Sequence, residues 1–265
     1  MTHDKNQLVA ALLLPLIFLA ACSNSPSTSS KVINENPEVM KADSIINESI
    51  LKGAYTTLAS AEAQFVFRKY SIGYKQTNGE FVYTRVFKNK AEETILDSLT
   101  NSNFSRTING AAVNLSEKEK NSYGNSVNSV IYFAFLPYRL NDEAVTKLYL
   151  GEETIKDKTY HKIKVDFSEE GGGDDFDDEF LYWFSKDSLK LDYFAYTYAN
   201  SDTGIRFREA YNRRAVSGID IQDYNNYKAD ITIDFLTIGT LFEKGELELL
   251  SKIELEDVVI NPTRK

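Results

Sequence analysis

The sequence predicts an α+β fold: a strongly curved antiparallel sheet, a half-open barrel, with helices packed on its concave side. Three observations predict it. From Gln64 onward, apolar and aromatic residues recur at period two, in runs joined by short turn sequences. Two segments carry a clear helical period, one at each side of the first group of runs. Several runs are apolar on both faces. Leu181 and Trp183 point opposite to Tyr182 and Phe184, which fits a sheet covered by helices on one side or a half-closed barrel with a lined interior.

The N-terminal segment carries Lys5, then an apolar core from Leu8 to Phe18, then the ending Leu19-Ala20-Ala21-Cys22. An apolar run of this length is a secretory signal, too short to span a bilayer. Its ending resembles the bacterial lipobox. That resemblance implies removal of residues 1–21 as a lipoprotein signal peptide and acylation of Cys22 as the mature N-terminus. Two or more acyl chains make such an anchor stable. Cys22 is the only cysteine, which excludes an intrachain disulfide, a further cysteine nucleophile and a thiolate metal site. Up to Met40 the chain is rich in Ser, Asn, Thr and Pro, and reads as a disordered tether with a reach of roughly 25 Å. Residues 41–265 have the size of a single folded domain.

Along that domain, Ile45, Ile46, Ser49, Ile50, Ala54 and Leu58 place a helix over Lys41–Ser60, weakened at Gly53. A strand runs from Gln64 to Tyr74. Asn78-Gly79 is a type I′ hairpin signal, and Phe81, Tyr83, Arg85 and Phe87 mark the returning strand. Shorter strands follow near 93–99, 104–108 and 112–115. Ser116 and Glu119 form a capping box ahead of an apolar face at Tyr123, Val127, Val130, Ile131 and Ala134, and Pro137 ends this second helix. Strands are then expected at 145–150, 159–167, 179–185, 189–198 and 204–211, with turns at 186–188 and 200–203. The chain closes with a strand or loop at 219–227, a short helical or irregular stretch at 237–244, and one strand over 248–260.

Four blocks carry a family resemblance: Val127-Asn128-Ser129-Val130 to Leu136-Pro137-Tyr138, Gly171-Gly172-Gly173-Asp174 to Tyr182-Trp183, Ile205 to Glu209, and Asp223-Tyr224-Asn225-Asn226-Tyr227. Over about Lys41–Ile260 the chain resembles an uncharacterised Bacteroidetes outer-membrane lipoprotein family. In its order of elements, with the second helix ending in Leu-Pro ahead of a strand meander, it is also similar to the LolA/LolB lipoprotein-carrier fold. The latter resemblance implies an open barrel with an apolar cavity able to take acyl chains. Surface-exported lipoproteins of the first kind often carry acids soon after the cysteine. Ser23-Asn24-Ser25-Pro26 has none, so the expected place is the outer membrane, lipid-anchored and facing the periplasm.

The net charge is −9, and eight acids between Asp166 and Glu179 account for all but one unit of it. No basic stripe is available to track phosphates, so nucleic acid is not an expected partner. The acids of 169–179 are hard oxygen ligands of the kind Ca²⁺ uses, but their spacing does not match an EF-hand. A solvated hairpin loop without a metal is the expectation, and no cofactor is expected elsewhere.

The candidate ligand residues are arginines and aromatics. Arg206, Arg208 and Asn212 share one strand face, while Ile205, Phe207, Glu209 and Tyr211 share the other; Arg68 lies in a similar aromatic setting. Facing inward, the arginines suit bidentate contact with a carboxylate or phosphate; facing outward, they would be solvated or paired across the sheet. A cleft is expected, lined by Phe65, Phe67, Tyr83, Trp183, Tyr196 and Phe207 or their opposite-parity neighbours, with Arg206 or Arg208 near its mouth. His161, the only histidine after cleavage, shares parity with Ile163, Val165 and Phe167 and reads as a packed residue. No Gly-x-Ser-x-Gly turn, Walker loop or dinucleotide fingerprint occurs, and an enzyme is not expected, although paired carboxylates leave a hydrolase open. The sequence therefore points to a membrane-anchored, non-enzymatic lipoprotein binding a hydrophobic or amphipathic ligand, a lipid or lipoprotein acyl chain. The alternative is a structural or interaction lipoprotein with a filled core.

Overall fold

The computed structural model describes residues 36–168, 177–199 and 203–263. Cys22, most of the tether, most of the acidic segment and the turn at 200–202 lie outside the described residues. The first helix, α1, spans Pro37–Lys52 rather than starting at Lys41. Asn36 caps it, its side chain accepting from the Glu38 N–H at 3.0 Å, and Pro37 supplies the preset φ of a first helical turn. The helix also ends earlier than its apolar period suggests. Gly53 closes it and Ala54 turns left-handed at φ 56°, so Tyr55–Ala59 continues as a 3₁₀ turn that still buries Tyr55 and Leu58.

Among the described residues, fourteen strands form two antiparallel seven-stranded sheets, neither closed on itself. The first holds β1 (Ser60–Phe67), β2 (Tyr70–Thr77), β3 (Glu80–Lys88), β4 (Thr94–Thr100), β5 (Phe104–Ile108) and β6 (Ala111–Ala112) in sequence order, with the last strand, β14 (Glu256–Pro262), paired to β1. The second is a meander of β7 (Val145–Ile155), β8 (Lys158–Phe167), β9 (Phe180–Ser185), β10 (Leu191–Tyr198), β11 (Gly204–Val216), β12 (Ile219–Ala229) and β13 (Glu248–Ile253). The fold class is as the sequence predicts, an α+β half-open barrel, with its curved sheet in two halves.

The chain passes between the halves twice. One passage is the second helix, α2 (Glu117–Ala134), whose capping box forms as read from Ser116 and Glu119. The other is Glu254–Leu255, which splits the expected closing strand into β13 and β14. Asp223, 1% exposed, makes the break: it accepts the Leu255 N–H at 3.0 Å, while Arg214 donates to the Leu255 carbonyl at 2.5 Å and pairs with Asp223 at 3.2 Å. Backbone groups held by side chains are lost to the ladder, so the chain can change sheets there.

Both long helices lie on the concave side. In α1, Asp43 pairs with Lys147 of β7 at 2.7 Å, and Lys41 sits 3.8 Å from the Tyr149 ring centroid. The second helix is wedged between the halves. Toward the first sheet, a Cβ at Gly124 would stand 3.3 Å from Leu99 and 3.7 Å from Phe104. Toward the second, Phe133 stacks on Phe194 and Tyr196 at 5.6 and 5.5 Å. Phe135, just past the helix, meets Phe65 and Tyr74 edge-on. These contacts join α1, α2 and the concave faces of both sheets in one core.

A short third helix, α3 (Ile238–Glu243), covers the opposite face of the second sheet. Phe242 stacks on Phe207 at 4.5 Å and packs on Tyr193 and Tyr227. Phe235, Ile238 and Phe242 close a separate core over Trp183 and Phe207, and each such side chain contributes about 1.5–3 kcal/mol when fully buried. The two-sided apolar pattern of β9 thus reflects cover on both faces.

Candidate ligand-binding cleft

A cleft of about 610 Å³ remains in the concave interior where α2 does not reach β12 and β13. One wall is the C-terminal half of α2, with Ser129, Val130, Phe133 and Ala134. The opposite wall is the second sheet: Tyr196 of β10, Arg206 and Arg208 of β11, Gln222, Tyr224 and Asn226 of β12, and Leu250, Ser251 and Ile253 of β13. Leu255 at the crossing and Phe67 and Arg68 from the first sheet complete the lining. Leu250, 46% exposed, marks the open side.

Strand register sets the order of these groups. Arg206 lies opposite Tyr196, Arg208 opposite Phe194, Asn226 opposite Arg208, and Ser251 opposite Asn226. Phe194, Arg208, Asn226 and Ser251 therefore form one row across four strands, facing α2. The Arg208 guanidinium lies 4.7, 5.2 and 5.3 Å from the ring centroids of Phe133, Phe194 and Tyr196, and its Nη2 donates to the Tyr196 hydroxyl at 2.9 Å. Gln222 donates to the Tyr224 hydroxyl at 2.6 Å. Burial pushes the Tyr224 phenol up, which keeps it neutral.

The charge around this cleft runs against that of the chain. Among the described residues no Asp, Glu or Lys lines it, whereas three arginines do. Arg85, Arg106, Arg139, Arg213 and Arg214 each pair with a carboxylate at 2.6–3.2 Å. The remaining described arginines, Arg68, Arg206 and Arg208, have no carboxylate partner among the described residues, and all three line this cleft. Their burial is graded: Arg68 is exposed, Arg206 half-buried and Arg208 only 9% exposed. Two buried polar atoms here lack a partner, Nε of Arg208 and Oδ1 of Asn226. A buried polar atom left unpaired costs about 1–3 kcal/mol, more when charged.

The structure brings Arg68, Arg206, Arg208 and Tyr196 to this one cleft, together with Phe67. It separates Trp183, Phe207 and Asn212 from it. Trp183 and Phe207 are fully buried on the other face of the sheet, under α3, and the Trp183 indole donates to Glu153 at 2.9 Å. Asn212 loses its shared parity because β11 bulges between Tyr211 and Arg214, with Asn212 at φ 48°; it is exposed and donates to Asp223 at 2.6 Å. Phe65 and Tyr83 pack in the filled core, against Phe135 and against Tyr74 and Phe81, respectively. Arg68 is not on a strand: with Lys69 it forms the tight turn between β1 and β2, at φ 56°.

Gln222, Tyr224, Asn226 and Ser251 were not singled out by the sequence, although the first three share one strand parity that could have flagged them. His161 is half-buried on β8, 3.3 Å from the Tyr149 hydroxyl and 4.0 Å from Glu152; burial holds it below the ordinary histidine range, against the pull of Glu152. It does not line the cleft. Among the described residues no group of three or more His, Cys, Asp or Glu side chains is placed to hold a metal, and no helix is long and apolar enough to cross a membrane.

The chain belongs to a family of unknown function, DUF6503, whose model matches residues 13–255. No curated protein matches the sequence. Among solved structures it is similar to a DUF1329 family protein from Desulfovibrio piger, at 11% identity and a TM-score of 0.50, covering 84% of this chain and 95% of that one. That likeness shows a shared fold. A LolA superfamily protein from Nitrosomonas europaea matches at 8% identity and a TM-score of 0.43, covering 84% of this chain and 94% of that one. An outer membrane lipoprotein-sorting protein domain from Vibrio parahaemolyticus matches at 8% identity and a TM-score of 0.41, covering 78% and 99%.

Proposed function

We propose that this member of the DUF6503 family is a lipid-anchored envelope lipoprotein that binds one hydrophobic or amphipathic molecule in the cleft beside α2, without chemistry on it. The observation that carries the reading is the cleft itself: an open volume whose walls combine aromatic and aliphatic side chains with three arginines and a few uncharged polar groups. Apolar lining with a few placed polar groups is the usual make-up of a ligand site, and about 300–1,000 Å³ is its usual size. At about 610 Å³ the cleft falls within that range.

A fluorescent polyene fatty acid, cis-parinaric acid, is expected to bind the full chain carrying Cys22→Ser with saturation at one equivalent, and to be displaced by a non-fluorescent lipid. Ala134→Trp places an indole in the cleft from the α2 wall. It should weaken the probe at least tenfold while leaving the thermal midpoint within a few degrees, because the added bulk enters open volume. Unchanged affinity in Ala134→Trp would move the binding site elsewhere.

Anchoring rests on the Leu19–Cys22 ending, and the absence of acids at Ser23–Pro26 favours the periplasmic face of the outer membrane. Wild-type protein is expected in the membrane fraction with a mass increase from acylation, and Cys22→Ser in uncleaved or unanchored form. Wild type recovered wholly soluble with a free thiol would overturn the anchor.

A further inference from the structure

We infer that the cleft selects a single-chain amphiphile with an oxyanion headgroup, a carboxylate or a phosphate monoester, seated at Arg208 and Asn226. The inference rests on the ligand-binding reading above and specifies the chemistry of that ligand.

Arg208 supplies the first half of the argument. The residue is nine-tenths buried, its guanidinium is walled by Phe133, Phe194 and Tyr196, and among the described residues it has no carboxylate partner. A desolvated cation held without a counter-charge is costly, and interactions with it are strong because little water screens them. The chain meets that cost with a carboxylate at five other arginines. At Arg208 no described carboxylate supplies the balancing charge, and an anionic ligand would supply it.

Geometry supplies the second half. Arg208 and Asn226 are cross-strand partners, and each leaves one buried atom unpaired, Nε and Oδ1. The other end of the Asn226 amide donates to Ser251 Oγ at 3.1 Å. A serine hydroxyl can serve either end of an amide, so the free end of Asn226 can accept from a protonated phosphate or, turned over, donate to a carboxylate. An oxyanion beside Arg208 would therefore engage both unpaired groups at once. Arg206 and exposed Arg68 extend the positive field toward the opening, where they would draw an anionic headgroup inward. The apolar surface of Val130, Ala134, Leu250 and Ile253 is left for the chain. A free phosphate would leave that apolar surface uncovered, so the oxyanion is taken to be attached to a chain.

The test compares cis-parinaric acid with its methyl ester on the full chain carrying Cys22→Ser, with inorganic phosphate as a competitor. The acid is expected to bind at least tenfold tighter than the ester. Arg208→Gln and, independently, Arg206→Gln should lower acid affinity toward that of the ester and leave the ester unchanged. Arg206 is half-buried, so its replacement spares the fold if Arg208→Gln does not; the acid-to-ester ratio of the unsubstituted cleft needs neither. Inorganic phosphate should compete only weakly. Equal binding of acid and ester would overturn the oxyanion seat and leave the cleft reading standing. Failure of both probes to bind would overturn both. Phosphate displacing the acid as well as a second chain-bearing acid does would overturn the amphiphile in favour of a free oxyanion.

Discussion

Trp183→Ala is expected to destabilise the protein by about 3–5 kcal/mol, and Trp183→Phe to leave ligand affinity in the cleft unchanged. Trp183 is fully buried, packed on Phe207, bonded to Glu153 and crossed by Lys162 5.4 Å from its ring. A Cβ added at Gly239 of α3 would stand 3.2 Å from the indole, so the helix is laid directly on it. Removing the indole opens a cavity under α3 and leaves the Glu153 carboxylate with Lys162, 2.9 Å away, as its close charged partner. The phenylalanine variant keeps most of the apolar volume and gives up the hydrogen bond, which costs about 1 kcal/mol. Urea unfolding reads the first effect and probe titration the second. A tenfold loss of affinity in Trp183→Phe would mean that the two faces of the sheet have been assigned the wrong way round.

Asp97→Ala carries an effect of the same size by a different route. Asp97 has no exposed surface and accepts from Arg85 at 2.7 and 3.0 Å and from Arg106 at 2.6 and 3.0 Å. Arg85 also donates to Ser126 of α2 at 2.7 Å, and the Arg106 guanidinium lies 3.6 Å from the Tyr123 ring centroid on the same helix. One carboxylate thus holds two guanidinium groups that clamp α2 to the first sheet. Taking it away leaves two nearly buried cations uncompensated, and a loss of about 3–5 kcal/mol is expected. Replacing Asp97, Arg85 and Arg106 together by apolar residues of similar volume should recover most of that loss, since the penalty lies in the unpaired charge. Because α2 is one wall of the cleft, Asp97→Ala should also weaken ligand binding. A cost below about 1 kcal/mol in Asp97→Ala would contradict the clamp.

What the sequence made legible was local and periodic. The capping box at Ser116 and Glu119 and the Asn78-Gly79 hairpin depend on neighbours three residues apart or closer, and both formed as read. Strand parity was legible too: Leu181 and Trp183 do lie opposite Tyr182 and Phe184. Which parity faces the concave side was not, because α3 decides it. That helix is short, and its docking through Phe242 depends on contacts with residues far away in sequence.

Irregular backbone was the second blind spot. Arg68-Lys69 carries none of the usual turn residues, yet the chain reverses there, and this is how Arg68 reaches the cleft. The bulge at Asn212 moves that residue off the face of Arg206 and Arg208, and no local pattern announces it. The sheet crossing at Leu255 depends on Asp223, thirty-two positions away. Arg206 and Arg208 were placed on one strand face from parity alone. Their lack of carboxylate partners is a matter of tertiary placement, visible only once the other five had been matched to theirs.

Photolabelling in the membrane tests the cleft most directly. A fatty acid bearing a diazirine near the middle of its chain, irradiated with membranes from cells producing the wild-type protein, reports its position by the residues it modifies. Modification is expected on α2 between Ser129 and Ala134 and on the facing stretch from Leu250 to Leu255, and it should disappear in Ala134→Trp. Labelling confined to the outer faces of the sheets or to the N-terminal segment, and unchanged by Ala134→Trp, would contradict a ligand in the cleft.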